Sequence, residues 1–191
     1  MQIRPIEFSL QSSIVSIDRH QVRAPGCHVS GVIKSLEKRY GRLQGRTDID
    51  EKPDDYWNDY RTAGFLIERA FRELLSDLNL VRPGELCVDG VHMTPDYLDA
   101  NEWVLEEWKC TWRSSGWDIE DPKWDSWFMQ IKAYCHALGT LRARLRVFFV
   151  NGSYKPRVPQ MKAWEMEFTE RELQENWQMI LSHARQEGML K

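Results

Sequence analysis

The run from Leu145 to Val150 is continuously apolar and is followed at once by Asn151-Gly152. A short apolar run closed by a turn pair reads as a strand buried within a sheet. The segments around it alternate between helical and extended patterns. Tyr56, Tyr60, Ala63, Ile67, Phe71, Leu74 and Leu78 recur every three or four residues. That spacing predicts one apolar stripe along a helix from Pro53 to about Leu78. Pro83-Gly84 then breaks the chain. Strands are predicted over Leu86 to His92, Thr94 to Leu98 and Trp103 to Trp112, with Asp99-Ala100-Asn101 as the turn between the last two. A helix is predicted from about Pro122 to Leu138, with Trp124, Trp127, Ile131, Tyr134 and Leu138 on one side and Gly139 as its stop. Ser30 is read as the cap of a shorter helix to about Tyr40, ended by Gly41. Met161 to Phe168 reads as a further strand. Thr169, with Glu172 three residues on, reads as a capping box opening a final helix. The order helix, strands, helix, strand, strand, helix predicts an α/β fold, a central mixed β-sheet flanked by α-helices, with residues 1–191 as a single domain.

An apolar fraction of 42% in 191 residues is enough for a substantial core. No uncharged apolar run approaches the roughly 18 residues that a membrane span needs, and the segment after Met1 lacks the apolar stretch of a secretory signal. The expectation is a cytoplasmic protein with no membrane partner. Cys27, Cys87, Cys110 and Cys135 form no C-x-x-C pair. Each is expected to be a small buried thiol, with no structural zinc. The formal net charge is -3, but the charges are unevenly placed. From Ser126 to Trp164 there is no Asp or Glu, against Lys132, Arg142, Arg144, Arg146, Lys155, Arg157 and Lys162. From Arg19 to Arg46 the only acid is Glu37. If these two segments meet, they form a groove for phosphates; the alternative is two ordinary solvated faces.

The segment from Trp103 to Trp112 carries the chemistry. In a strand, alternate side chains share a face, so Glu107, Lys109 and Thr111 point one way and Glu106, Trp108 and Cys110 the other. A carboxylate and an ammonium two residues apart on one face suit phosphodiester hydrolysis. The carboxylate binds a divalent metal, and the lysine orients the attacking water or stabilises developing negative charge. Asp96 lies eleven positions before Glu107. A turn at Asp99 to Asn101 pairs the two strands antiparallel and brings Asp96 beside Glu107. Such hard oxygen ligands suit Mg²⁺ or Mn²⁺. Alone, E-x-K also describes a surface ion pair. Glu68 lies at the edge of the long helix's stripe, and Gln130 and Tyr134, four positions apart, share a face of the later helix.

Taken together, Gly64-Phe-Leu-Ile-Glu68, Thr94-Pro95-Asp96, Glu107-Trp108-Lys109 and Gln130-Ile-Lys-Ala-Tyr134 resemble the PD-(D/E)XK nuclease superfamily, in its RecB-like and lambda-exonuclease-like branch. The resemblance covers Gly64 to about Val150. It implies a restriction-endonuclease-like core and an Mg²⁺-dependent deoxyribonuclease, with Mn²⁺ substituting. Asp96 and Glu107 would be metal ligands, helped by the main-chain carbonyl of Trp108. Lys109 would be the catalytic lysine, and Glu68 would hold a second metal or a metal-bound water. Gln130 and Tyr134 would position the DNA backbone or shape the site. Some nucleases of this branch, those of CRISPR adaptation, carry an iron–sulfur cluster on one early and several late cysteines. No cysteine follows Cys135 here, so no iron–sulfur cluster is expected. The implied function is an exonuclease of phage-type DNA recombination, replication or repair, working in the host cytoplasm if phage-encoded. A structure-specific or sequence-specific endonuclease and a DNA-binding module without catalysis are the alternatives. A homo-oligomer would suit processive digestion. Of the nine tryptophans, most are expected in the core and some on bases of single-stranded DNA.

Overall fold

The computed structural model describes residues 24–44, 79–116, 118–119, 124–155 and 157–191, together with Gly64, Leu66, Ile67 and Ala70. Its centre is a five-stranded mixed sheet in the order β2-β5-β6-β7-β8. These strands span Leu80–Val81, Tyr97–Asp99, Val104–Thr111, Arg142–Phe149 and Gln160–Glu167. The β6–β7 pair is parallel and every other pair in this sheet is antiparallel. A second, three-stranded sheet has the order β1-β4-β3, from Cys27–His28, Val91–Met93 and Leu86–Val88. Helices α1 (Val29–Leu43), α2 (Asp125–Leu138) and α3 (Glu170–Gln186) pack on one another, with α2 also against β6 and β7.

A parallel pair needs a crossover, and α2 supplies it between β6 and β7. The face of the sheet that meets α2 carries Leu105, Ala143, Leu145, Val147 and Phe149, all buried, against Ile131, Tyr134 and Cys135 of the helix. Gly139 ends α2 in the left-handed conformation at φ 65°, as its place after the apolar stripe predicts. The capping box of Thr169 and Glu172 opens α3. Trp177 and Ile180 of α3 are buried against the same core.

Several boundaries differ from expectation for identifiable reasons. Leu86 to His92 is not one strand. Asp89 and Gly90 both take positive φ, 50° and 79°, and fold it into the two-residue hairpin β3–β4. Asp-Gly is a strong hairpin signal, and the Asp89 carboxylate is held by the indole N–H of Trp177 at 2.8 Å. The helix placed after Ser30 starts at Val29 instead and runs through the buried Gly41 to Leu43. Burial of Val29, Val32 and Ile33 outweighs the roughly 1 kcal/mol cost of a helical glycine. The strand expected at Leu145 begins at Arg142, because arginines alternate with the apolar residues. The expected strand Thr94 to Leu98 is displaced to Tyr97–Asp99. The short edge strand β2 was not anticipated. Of the long helix, the described residues Gly64, Leu66, Ile67 and Ala70 are helical. Cys27 and Cys135 are buried free thiols, whereas Cys87 is exposed, so not every cysteine is a buried one. No helix among the described residues is long and apolar enough to cross a membrane.

The sheet face away from α2 carries an ion-pair network. Glu106, fully buried, accepts from Arg146 Nε at 2.7 Å and from Arg144 at 3.4 Å. Arg144 and Arg142 also reach Glu102 and Glu165. Breaking a buried pair leaves an uncompensated charge, so Glu106→Ala is expected to lower the unfolding free energy by about 3 kcal/mol. Urea unfolding would measure this, and a loss under about 1 kcal/mol would remove Glu106 as an anchor of the sheet.

Candidate active site

Strand β6 presents its two glutamates to opposite sides. Glu106 joins the arginines. Glu107, buried at 1% exposure, faces α2 with Lys109. Lys109 Nζ donates to Glu107 Oε1 at 2.6 Å and to Gln130 Oε1 at 2.7 Å. Gln130 Nε2 in turn donates to Tyr134 Oη at 2.8 Å. The lysine head is therefore held between a strand and a helix, both rigid supports. One turn of α2 separates Gln130 from Tyr134 and stacks them on one face, which closes the chain of hydrogen bonds.

Asp96 enters from the loop before β5. The β5–β6 register pairs Tyr97 with Glu106, and continuing it by one step sets Asp96 opposite Glu107. The ladder stops there. Pro95 has no N–H to continue it, and the Trp108 amide donates instead to Asp96 Oδ2 at 2.9 Å. One side-chain oxygen thus replaces a ladder partner and pins the carboxylate beside β6. Burial, then the neighbouring Glu107 charge, pushes the Asp96 carboxyl up from its ordinary value to about 7, partly offset by Lys109 and the Trp108 amide. Two close carboxylates in a poorly hydrated setting share protons readily and also suit a small divalent cation.

Sequence reasoning placed Asp96, Glu107, Lys109, Gln130 and Tyr134 in one constellation, and the structure brings these five together. Glu68 lies outside the described residues. Among the described residues no group of three or more His, Cys, Asp or Glu side chains converges as a metal site. The described part of the site thus offers two carboxylates and the Trp108 main chain. His92 stands elsewhere, on the small sheet, with its ring 5.4 Å from that of His28. Trp108 packs tilted against Tyr97 with ring centroids 4.7 Å apart, and Trp124 against Trp127 at 4.5 Å, while Trp103 is about half exposed at the hairpin tip. Sequence reasoning missed the Glu106 network, although Arg142, Arg144 and Arg146 repeat with the period of two that a strand requires.

The sheet order and the crossover helix give the chain a fold shared with solved exonuclease structures. Among solved structures, a phage-related exonuclease from Haemophilus somnus 129PT matches with a TM-score of 0.50 and 12% identity, over 86% of this chain and 94% of that one. An alkaline exonuclease from Laribacter hongkongensis matches with a TM-score of 0.52 and 15% identity, over 84% and 87%. SSO0001 matches with a TM-score of 0.55 and 12% identity, over 91% and 83%. No family model and no curated protein matches the sequence. At these identities the likeness is one of fold.

The Asp96 shift has a signed consequence. A carboxyl whose folded pKa is raised stabilises the fold below its ordinary range, and that contribution is lost as pH rises toward 7. Without divalent metal, the wild type is expected to lose stability relative to Asp96→Asn between about pH 4 and pH 8, by up to about 4 kcal/mol. Calorimetric midpoints of the two proteins across that range are the measurement. Parallel curves would show that Asp96 carries no such shift.

Proposed function

We propose that this protein is a divalent-metal-dependent deoxyribonuclease, an exonuclease acting on linear DNA in phage-type recombination, replication or repair. The observation that carries the reading is Lys109, held between Glu107 and Gln130 beside Asp96. Two fold neighbours bearing the name exonuclease add to it.

Asp96, Glu107 and the Trp108 carbonyl would hold Mg²⁺ or Mn²⁺, with Glu68 as a further carboxylate. The metal, when bound, supplies Lewis acidity toward a phosphodiester oxygen and lowers the pKa of a bound water. Lys109 places a positive charge where the attacking water is oriented and where negative charge develops on the phosphoryl oxygens. Gln130 fixes the direction of that ammonium, and Tyr134 fixes Gln130. A network built on a strand and a helix loses little order during the reaction, which is the advantage of a preorganised site. The hydrolysis adds water across one P–O bond, leaving a phosphate on one fragment and a hydroxyl on the other.

The test is cleavage of end-labelled linear DNA and of closed circles in Mg²⁺, Mn²⁺ and chelator. Linear DNA is expected to be degraded, circles spared and chelator inhibitory. Lys109→Ala is expected to lose at least about a hundredfold in kcat, with Gln130→Ala intermediate. Nicked circles would assign an endonuclease. Cleavage that survives in chelator or in Lys109→Ala would place the chemistry elsewhere. DNA binding with no cleavage in any metal would leave a binding module.

A further inference from the structure

The acid-free stretch from Ser126 to Trp164 looks uniformly basic in sequence, but folding commits most of its cations. Arg142, Arg144 and Arg146 are paired with Glu102, Glu165, Asp99 and Glu106. Lys132 lies over the Phe168 ring, and Lys162 Nζ donates to the Ser115 carbonyl at 2.5 Å. Lys155 and Arg157 are exposed and take part in no ion pair among the described residues. Both lie in the β7–β8 connection.

That connection is tied to the loop that leaves the proposed catalytic strand. The Val150 amide donates to the Thr111 carbonyl at 2.9 Å, and the Ser115 amide donates to the Gly152 carbonyl at 2.8 Å. Tyr154 Oη donates to the Trp112 carbonyl at 2.7 Å. Ser115 Oγ donates to Gln160 Oε1 at 2.6 Å. The turn also holds Tyr154 at φ 68°, a costly conformation for a residue with a side chain. Gly152, at φ 50°, fits because it has no Cβ, which would lie 2.1 Å from the Val158 carbonyl oxygen. Strain of this kind persists where surrounding structure holds it, and it concentrates at binding sites. Thr111 shares the face of Glu107 and Lys109 and lies two residues beyond Lys109, roughly 7 Å along a strand. Residues 112–116 and 150–159 contain Arg113, Lys155 and Arg157 and no Asp or Glu. Tyr154 is 42% exposed among them.

We infer that the joined loop residues 112–116, 150–155 and 157–159 form a platform that receives the single strand of DNA next to the scissile phosphate. Lys155 and Arg157 contact its phosphates and Tyr154 stacks on a base. Cations with an exposed aromatic ring bind single strands with little sequence preference. This rests on the nuclease reading for its place beside the active site, and extends it to the strand that is held.

The experiment is fluorescence anisotropy of a labelled oligo(dT) 20-mer, titrated across a salt series in chelator so that no strand is cut. For the Lys155→Gln/Arg157→Gln protein, the slope of log affinity against log salt is expected to become shallower by about 1.4, near 0.7 for each lost phosphate contact. Tyr154→Ala is expected to bind at least roughly fivefold more weakly than wild type, as loss of a stacked base would give, and Tyr154→Phe, which keeps the ring and loses only the Oη bond, more tightly than Tyr154→Ala. Circular dichroism checks that each variant folds. An unchanged slope in the double variant overturns the platform, as does a change seen with blunt duplex and absent with the single strand. Because binding is read in chelator, a wild type that never cleaves would overturn the active-site reading without altering this result.

Discussion

Side chains alternate across β6, and the parallel register with β7 extends that division through the sheet. Leu145 and Val147 stand beside Glu107 and Lys109, while Arg144 and Arg146 stand beside Glu106 and Trp108. Two adjacent glutamates therefore have opposite surroundings. Glu106 is neutralised by guanidinium groups, and Glu107 meets the Lys109 ammonium and lies beside a second carboxylate, Asp96. A one-residue slip of β6 would exchange them, leaving Glu106 on the apolar side of α2 and parted from its arginines. The network on the outer face thus holds the register on which the inner face depends.

Asp96 depends on the same strand in another way. It lies outside the ladder, after a proline, and would be a loop carboxylate without its bond to the Trp108 amide. That bond holds an acid against a buried strand, where burial and the Glu107 charge raise its proton affinity against the bond's own opposing effect. A site that holds two carboxylates this close is poised to release a proton and accept a cation. The single charge of Lys109 does not balance two carboxylates.

Electrostatics at the scale of the chain is redistributed by folding. The cations of the acid-free stretch divide into those that secure the sheet and those that stay on the β7–β8 connection. A count of charges along the sequence cannot make that division, because the partners Glu102, Glu106 and Glu165 lie about twenty to forty residues away. Arg39 of the other basic segment likewise meets Glu187 across the α1–α3 interface.

Local periodicity made much of this legible. A period of two separated Glu107 from Glu106, a spacing of four put Gln130 with Tyr134, and Thr169 with Glu172 marked the start of α3. These features depend on near neighbours, so residue order suffices to specify them. The hairpin at Asp89-Gly90 was equally local and was missed by reading through a strong turn pair. Other features had no local signal. That Lys109 bridges Glu107 to Gln130, that Asp96 takes a main-chain amide of β6, and that Lys155 keeps its charge exposed while Arg146 does not, all follow from which strands are neighbours. Residue order prescribes the faces of each element; packing across the sheet and against α2 selects which faces meet, because burial and charge neutralisation are satisfied between elements far apart in sequence.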